Sequence, residues 1–426
     1  MQEKDFRKIK TAFSRFHRYF SPDFHRKQWR ERGGDYLRGL LVQTSDRRNA
    51  ENLAEATEVS PRSLQRFLTE SKWDDSKVIE SLQRYLRPRL SHTDAVWIID
   101  DTGFLKRGKK SAGVSKQYCG RVASVVNCQT GVFLGYASPR GRALVDKRLY
   151  LPHEWIDDPG RCEAAGIPQE ARKYHTKIEL ALSMLLNAKK LGYLRAGWVT
   201  ADDLYGRSEQ FRDGVAALGL KYVVDVPKDT RVWPINTRYE MSPPAKRKDA
   251  KPRGLRPVKS ECKKMEERAE ALPERAWQEI TIAEGSQGPR MYLFAVERLR
   301  VGRNSAPGEM VWAVYRKNLD GSEPRYYLSN AGEEVSLFTL ACVGGTRWSV
   351  ETEFQFNKGC VGMDQYEVRS YPGWNHHITM CLLANVFLLT LQQEWGEKYA
   401  PIDSLASISC GAGTAAEEAL QSRVAA

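Results

Sequence analysis

Through the first ninety positions apolar residues recur at three- and four-residue spacing among many Arg, Leu, Glu and Gln, with few Val or Ile, which predicts a helical segment. Within it, ENLAEATEVSPRSLQRFLTES reads as a short helix, a turn and a second helix, with Ser60 as N-cap and Pro61 at the first helical position. From Ala95 the period changes to that of strands. AVWIID, RVASVVNCQTG and VFLGYAS form an apolar series, the last two meeting in a hairpin at Gln129-Thr130-Gly131. A helix is predicted over residues 178–191, then buried strands at AGWVTADD and KYVVDVP.

Beyond residue 228 the rhythm breaks. Residues 243–273 are rich in Pro, Lys and Arg and are expected to form a mobile loop. EITIAEG, RMYLFAVERLRV, MVWAVYRK and PRYYLSNA follow as strands, helix returns from about 337 to 395, and a small, polar tail follows Ala400. Three antiparallel strands, a helix and a further strand predict an α/β fold with a ribonuclease H-like core. The expected partition is a helical DNA-binding domain at 1–90, the core at 91–227 and 336–400, a β-rich subdomain at 228–335 and a flexible tail at 401–426.

Charge narrows the partner. Sixty-six Lys and Arg against 53 Asp and Glu leave the chain at +13, which favours a polyanion such as nucleic acid. The excess is clustered: 13 basic and 6 acidic residues in 1–50, ten against one in 106–148, nine against two in 246–264. Solvated faces are the plain alternative for any single cluster, less so for three. The eight cysteines show no CxxC pair, so neither a zinc site nor a disulfide framework is expected, and free thiols suit a reducing compartment. The longest apolar run, MCLLANVFLLTL, is too short to span a bilayer, so no membrane role and a cytoplasmic location are expected.

Acidic residues sit where buried elements begin or end. Asp100 and Asp101 close the first strand, Asp202 and Asp203 close WVTADD, and Glu351 and Glu353 open a helix in RWSVETEFQFNKG. Burying carboxylates is costly, so their convergence at strand ends points to cations or catalysis, while helix caps and surface ion pairs are the competing explanation for each pair. Mg²⁺ is the natural guest, because it takes carboxylate oxygens and serves phosphodiester transfer. On a continuous helix Arg347, Glu351 and Lys358 fall at i, i+4 and i+11 with Gln355 between, so cation, carboxylate and amide share one face. His376 and His377 lack a third ligand and read as a packing pair.

IIDDTGF, TADDLYG and RWSVETEFQFNKG together resemble the DDE transposases of bacterial insertion sequences, of the cut-and-paste group with a β-strand insertion and a Y-x2-R-x3-E-x6-K signature. Arg347, Glu351 and Lys358 match its R, E and K, whereas the Tyr position is Gly344. SAGVSKQYCGR, RLYLPHEW and GMDQYEVRSYPGW are also similar to one subgroup, so the likeness runs over residues 20–395. It implies Asp100, Asp202 and Glu351 as a triad binding Mg²⁺, with Mn²⁺ as a substitute. D-x-T selects Asp100 over Asp101, which physical reasoning alone leaves open. The 148 residues between Asp202 and Glu351 are then the insertion, in which Trp233 and Trp312 are candidates to stack on a flipped base or else ordinary core aromatics.

The resemblance also implies metal-dependent cutting of the element's ends, joining to target DNA, and a synaptic homodimer in the bacterial nucleoid. Lys106, Arg107, Lys109 and Lys110 are expected to face backbone phosphates together with Arg347 and Lys358. Arg62, Gln65 and Arg66 are expected to read terminal repeats from the second helix of a helix-turn-helix, unless that pair is an ordinary helical hairpin. The competing function is a catalytically silent DNA-binding regulator derived from a transposase. A cutting-only nuclease and a glycan hydrolase are weaker, the latter because a neutral substrate leaves the basic clusters unexplained.

Overall fold

The computed structural model describes residues 3–43, 47–241, 254–285 and 288–395. The chain divides into two compact units, one holding residues 1–196 and 348–426 and the other Gly197–Arg347.

The first unit opens with five helices: α1 (Glu3–Phe20), α2 (Lys27–Val42), α3 (Ala50–Thr57), α4 (Pro61–Thr69) and α5 (Asp75–Leu90). Glu58, with φ of 57°, ends α3 in the left-handed region, and Pro61 starts α4 as its fixed φ favours. Ser60 occupies the N-cap position, but its hydroxyl makes no cap bond; its carbonyl oxygen takes the Ser63 N–H instead. Then come β1 (Val96–Leu105), β2 (Ser115–Cys119), β3 (Ser124–Ser138) and β4 (Gly141–Leu149), all antiparallel in the order β1-β3-β2 with β4 also on β3. Short helices α6 (His153–Ile156) and α7 (Pro159–Ala164) lead to α8 (Lys177–Leu191), whose start is locked by a capping box between Thr176 and Glu179.

No hairpin forms at Gln129-Thr130-Gly131. The strand runs straight through, because Gln129 is buried and hydrogen-bonded to Ala112 O and Tyr366 Oη. Gly131 is needed there for closeness, since a Cβ would come within 3.0 Å of Trp374. The reversals lie on either side, at Gly120–Ala123 and at Pro139-Arg140.

The second unit is a mixed sheet with helices. It contains β5 (Trp198–Ala201), α9 (Asp203–Gly206), α10 (Glu209–Ala217), β6 (Lys221–Asp225), β7 (Arg231–Trp233), β8 (Tyr239–Met241), β9 (Leu255–Pro257) and β10 (Lys263–Lys264). After these come α11 (Met265–Glu270), β11 (Gln278–Gly285), β12 (Gly288–Arg303), β13 (Ala306–Lys317), β14 (Arg325–Ser329) and α12 (Leu337–Thr346). The strand order is β10-β7-β12-β13-β14-β6-β5, with β11 on β12 and β8 paired to β9. Only β5 and β6 are parallel within it. Asn304 and Ser305, with φ of 50° and 63°, make the two-residue turn that joins β12 to β13. The expected loop at 243–273 is ordered from Leu255 onward as β9, β10 and α11, while residues 242–253 lie outside the described residues.

The chain then returns to the first unit as α13 (Trp348–Val361) and α14 (Tyr371–Trp395). The single helical run expected over 337–395 is therefore three helices, broken at Arg347 and at 362–370, where Gly362 has φ of 68°. α14 is apolar on every side and buried along most of its length, as a central helix must be. Phe387 meets the Phe13 ring of α1 edge-on and the Phe16 ring at a tilt, and His377 hydrogen-bonds Tyr36 of α2, so the amino-terminal helices are packed around it. The tail after Ala400 lies outside the described residues. Among the described residues no helix is long and apolar enough to cross a membrane, and all seven described cysteines are free thiols.

Candidate active site

Strand β1 carries the first carboxylate. Val96 to Ile99 are at most 4% exposed, so apolar burial holds the strand and Asp100, itself buried, follows at its level. Its Oδ1 accepts the backbone N–H of Asp101 at 2.7 Å. Side chains alternate along a strand, yet a carboxylate oxygen of Asp101 lies within 4.8 Å of one of Asp100. Asp101 Oδ2 takes a 2.7 Å ion pair from Lys177 at the start of α8.

On the Asp100 face, α13 tracks β1 residue by residue. Val350 packs over Gly135, the register partner of Ile98; Phe354 meets Phe133, the partner of Asp100, at 5.3 Å between ring centres. Lys358 Nζ donates to Thr102 Oγ1 at 2.7 Å. The i, i+4, i+8 series 350, 354, 358 thus overlies 98, 100 and 102. Glu351 lies between Val350 and Phe354 on α13 and is exposed, as is Gln355, while Lys358 is half-buried. Glu353 is 3% exposed and spoken for: Arg142 Nε lies 3.2 Å from its Oε1, and Asn385 Nδ2 donates to Oε2.

In the second unit, Asp202 follows β5 and caps α9, accepting the N–H groups of Leu204 and Tyr205 at 3.0 and 3.4 Å. Tyr205 is fully buried and Gly206 presses on the next strand, where a Cβ would lie 1.9 Å from Asp225 O. These two residues set the turn that holds Asp202 at the strand end, while Asp203 pairs outward with Arg207.

The predicted cations separate. Arg107, Lys109 and Lys110 are exposed on the loop after β1. Lys106 instead folds back over the Tyr366 ring at 3.5 Å and donates to Tyr366 O, and burial brings its ammonium down to about 8. Arg62 and Arg66 are exposed on α4, Arg66 in an ion pair with Glu70. Arg347 stands at the break between α12 and α13 with its Nε 3.4 Å from Asp225 Oδ2. Burial pushes the Asp225 carboxyl up to about 6, against the pull of Arg347, Arg325 and Arg316.

Trp233 is 2% exposed, and Trp312 is half-buried with its indole N–H on Gly332 O and Arg298 over its ring. His376 and His377 are packing residues. His376 stacks on Trp73 at 3.8 Å and faces Leu68 O and Trp73 O, and burial holds His377 down at about 3. Sequence reasoning missed Lys177, Thr102 and Asp225. Each acts through a partner 76 to 256 positions away, or on a distant helix, and no local spacing signals it.

Asp100, buried within β1, and Asp202, at the cap after β5, each present carboxylate oxygens, the hard donors that a divalent cation takes. The family profile described as DDE superfamily endonuclease matches residues 19–289. This chain belongs to that family. The match contains Asp100 and Asp202; Glu351 lies beyond it. Membership of the DDE endonucleases implies divalent-metal use, and the oxygen donors fit it. The chain is also 30% identical over 169 residues to the probable transposase for insertion sequence element IS701 of Microchaete diplosiphon, covering 38% of this chain. It spans about 40% of that relative's length. Among solved structures, a piggyBac transposase synaptic complex with hairpin DNA aligns at 11% identity and a TM-score of 0.41, covering 93% of this chain and 72% of that one.

Proposed function

We propose that this DDE endonuclease is a DNA transposase that cuts the ends of an insertion sequence and joins them to target DNA. The observation that carries the proposal is the register of α13 on β1, with Phe354 against Phe133, the register partner of Asp100, and Lys358 anchored to Thr102. The family assignment and the transposase relative support it.

In this scheme Asp100, Asp202 and Glu351 hold Mg²⁺, with Mn²⁺ as a substitute. The ions, when bound, activate the attacking oxygen and neutralise charge on the leaving one. The protein's own residues prepare that site. Lys177 pairs with Asp101 and offsets the charge of the carboxylate beside Asp100. Lys358, fixed by Thr102, adds positive charge two residues along from Asp100 on the same face. Arg107, Lys109 and Lys110 contact phosphates without reading sequence, and Arg62 and Arg66 on α4 face the terminal repeat.

The strands β1–β4 with α8, β5 and β6 would form the ribonuclease H-like core, residues 228–335 its β-rich insertion and residues 1–90 the DNA-binding domain. A homodimer would pair the two ends. The test is incubation with DNA carrying the element's flanking ends in Mg²⁺ or Mn²⁺. Wild type is expected to nick and join, and Asp100→Ala, Asp202→Ala and Glu351→Ala to do neither. Cleavage at wild-type rate by any of the three would remove that residue from the triad, and binding without cleavage by wild type would favour the silent regulator.

A further inference from the structure

Residues 102–131 contain six Lys and Arg and no Asp or Glu. They form the end of β1, the basic loop after it and the β2–β3 hairpin, whose tip is the turn at Gly120–Ala123. Along β2 the side chains alternate, with Gln117 and Cys119 turned inward and Lys116 and Tyr118 outward. The inward face rests on β1, where a Cβ at Gly103 would lie 2.5 Å from Cys119 Sγ. Glycine at 103 therefore lets the hairpin close against the strand that carries Asp100.

The outward face is apolar toward the tip and basic at its base. Tyr118 directly opposes Val125 across the hairpin, and the two are 63% and 67% exposed. Val122 in the turn is exposed as well. Two residues back from the tip Lys116 opposes Asn127, whose Nδ2 donates to Lys106 O and Gly108 O at 2.6 and 3.0 Å. Arg161 Nη2 donates to Lys109 O at 2.9 Å. These bonds fix the backbone of the loop that exposes Arg107, Lys109 and Lys110. Asn127 lies about 7 Å from Val125, two residues of strand rise, so the loop borders the apolar pair.

Three large apolar side chains standing together at a hairpin tip mark a contact surface. A second copy of the chain would set like charge against like charge. A nucleic-acid strand offers the reverse, phosphates for the cations and the face of a base for the ring. We propose that Tyr118, backed by Val122 and Val125, stacks on an unpaired base of DNA while Arg107, Lys109, Lys110 and Lys116 hold the neighbouring phosphates; this rests on the transposase reading and extends it to single-stranded DNA. A base within a duplex hides both faces in the stack, so the ring selects a nucleotide that has left it. Val125 lies eight residues before Phe133, the register partner of Asp100, at most about 27 Å along β3. The contact positions a strand near the reaction and takes no part in the chemistry.

The experiment compares the full chain's affinity for a blunt duplex with that for the same duplex bearing a single-stranded overhang of about eight nucleotides, without divalent metal so that catalytic failure does not register. Wild type is expected to prefer the overhang. Tyr118→Ala is expected to lose roughly 5- to 150-fold on the overhang. It should leave the blunt duplex and the salt slope unchanged, since no charge is removed. Tyr118→Phe is expected to keep wild-type affinity, and Tyr118→Leu, apolar but without a ring to stack, to fall with Tyr118→Ala. A fluorescent base analogue in the overhang is expected to be quenched by wild type and Tyr118→Phe alone. If Tyr118→Ala binds the overhang as wild type does, the stacking site is wrong and the transposase reading stands. If Tyr118→Ala instead turns a dimer into a monomer with its overhang binding intact, the face is a contact between copies and the proposal is equally overturned. If wild type binds neither DNA, both readings fall.

Discussion

Lys177 Nζ lies 2.7 Å from Asp101 Oδ2, the carboxylate next to Asp100 along β1. This ion pair offsets the Asp101 charge, and the two adjacent aspartates have separate expected phenotypes. Asp100→Asn is expected to lower end cleavage by roughly 1000-fold, the scale of several kcal/mol of lost charge stabilisation. Asp101→Asn is expected to stay within about tenfold of wild type. Lys177→Met removes this ion pair and is expected to cost about 1.5–3 kcal/mol of stability, measured by denaturant unfolding. In the Lys177→Met, Asp101→Asn double variant much of that loss should return. A cleavage defect in Asp101→Asn as deep as in Asp100→Asn would reverse the assignment.

The basic loop after β1 divides in the same way. Replacing Arg107, Lys109 and Lys110 with Gln is expected to lower the salt slope of DNA binding by about 2–3, close to one unit per lost phosphate contact. Lys106→Gln is expected to leave the slope alone and to lower stability instead, because that ammonium packs on Tyr366. A slope change in Lys106→Gln equal to that of an exposed lysine would place it at the DNA.

Asp225 makes stability depend on pH. Burial raises its carboxyl to about 6, opposed by Arg347, Arg325 and Arg316 and aided weakly by Asp203. A raised carboxyl means that the native state holds the proton more tightly than the unfolded chain. Its contribution is thus present at pH below the ordinary value near 4 and is lost as pH rises through about 6. Two pH units correspond to about 3 kcal/mol. Unfolding curves for wild type and Asp225→Asn are expected to diverge between pH 4 and 6, wild type losing ground as pH rises. Parallel curves across that interval would show that Asp225 titrates normally.

His376 ties α14 to the end of α4 through Leu68 O, Trp73 O and the Trp73 ring. His376→Ala is expected to cost about 2–3 kcal/mol from a lost hydrogen bond and lost packing. Hydrogen exchange should quicken first in residues 61–73. If exchange there is unchanged while the strands loosen, α14 does not anchor the second helix of the pair.

Short-range order was legible where one residue's neighbours dictate its state. The apolar run Val96–Ile99, the strands β11 to β14 and Pro61 at the start of α4 follow from local period and backbone restriction. Local rules failed where distant packing overrode them. Gln129-Thr130-Gly131 has turn composition, yet Trp374 and Tyr366, more than two hundred positions on, hold it extended. Arg347 continues a helical pattern, yet the helix breaks there and its guanidinium turns to Asp225.

The sequence by itself determined the chemistry on offer: two pairs of adjacent aspartates next to apolar strands, a glutamate pair on a helix and three basic clusters, since residue type and period are local properties. Tertiary structure decided which partners the members of each pair meet. Lys177 takes Asp101, Arg207 takes Asp203, and Arg142 with Asn385 takes Glu353. A carboxylate's partner is set by what the fold brings within about 3 Å, where charge and hydrogen bonding act, and that distance is not written in the spacing of residues along the chain.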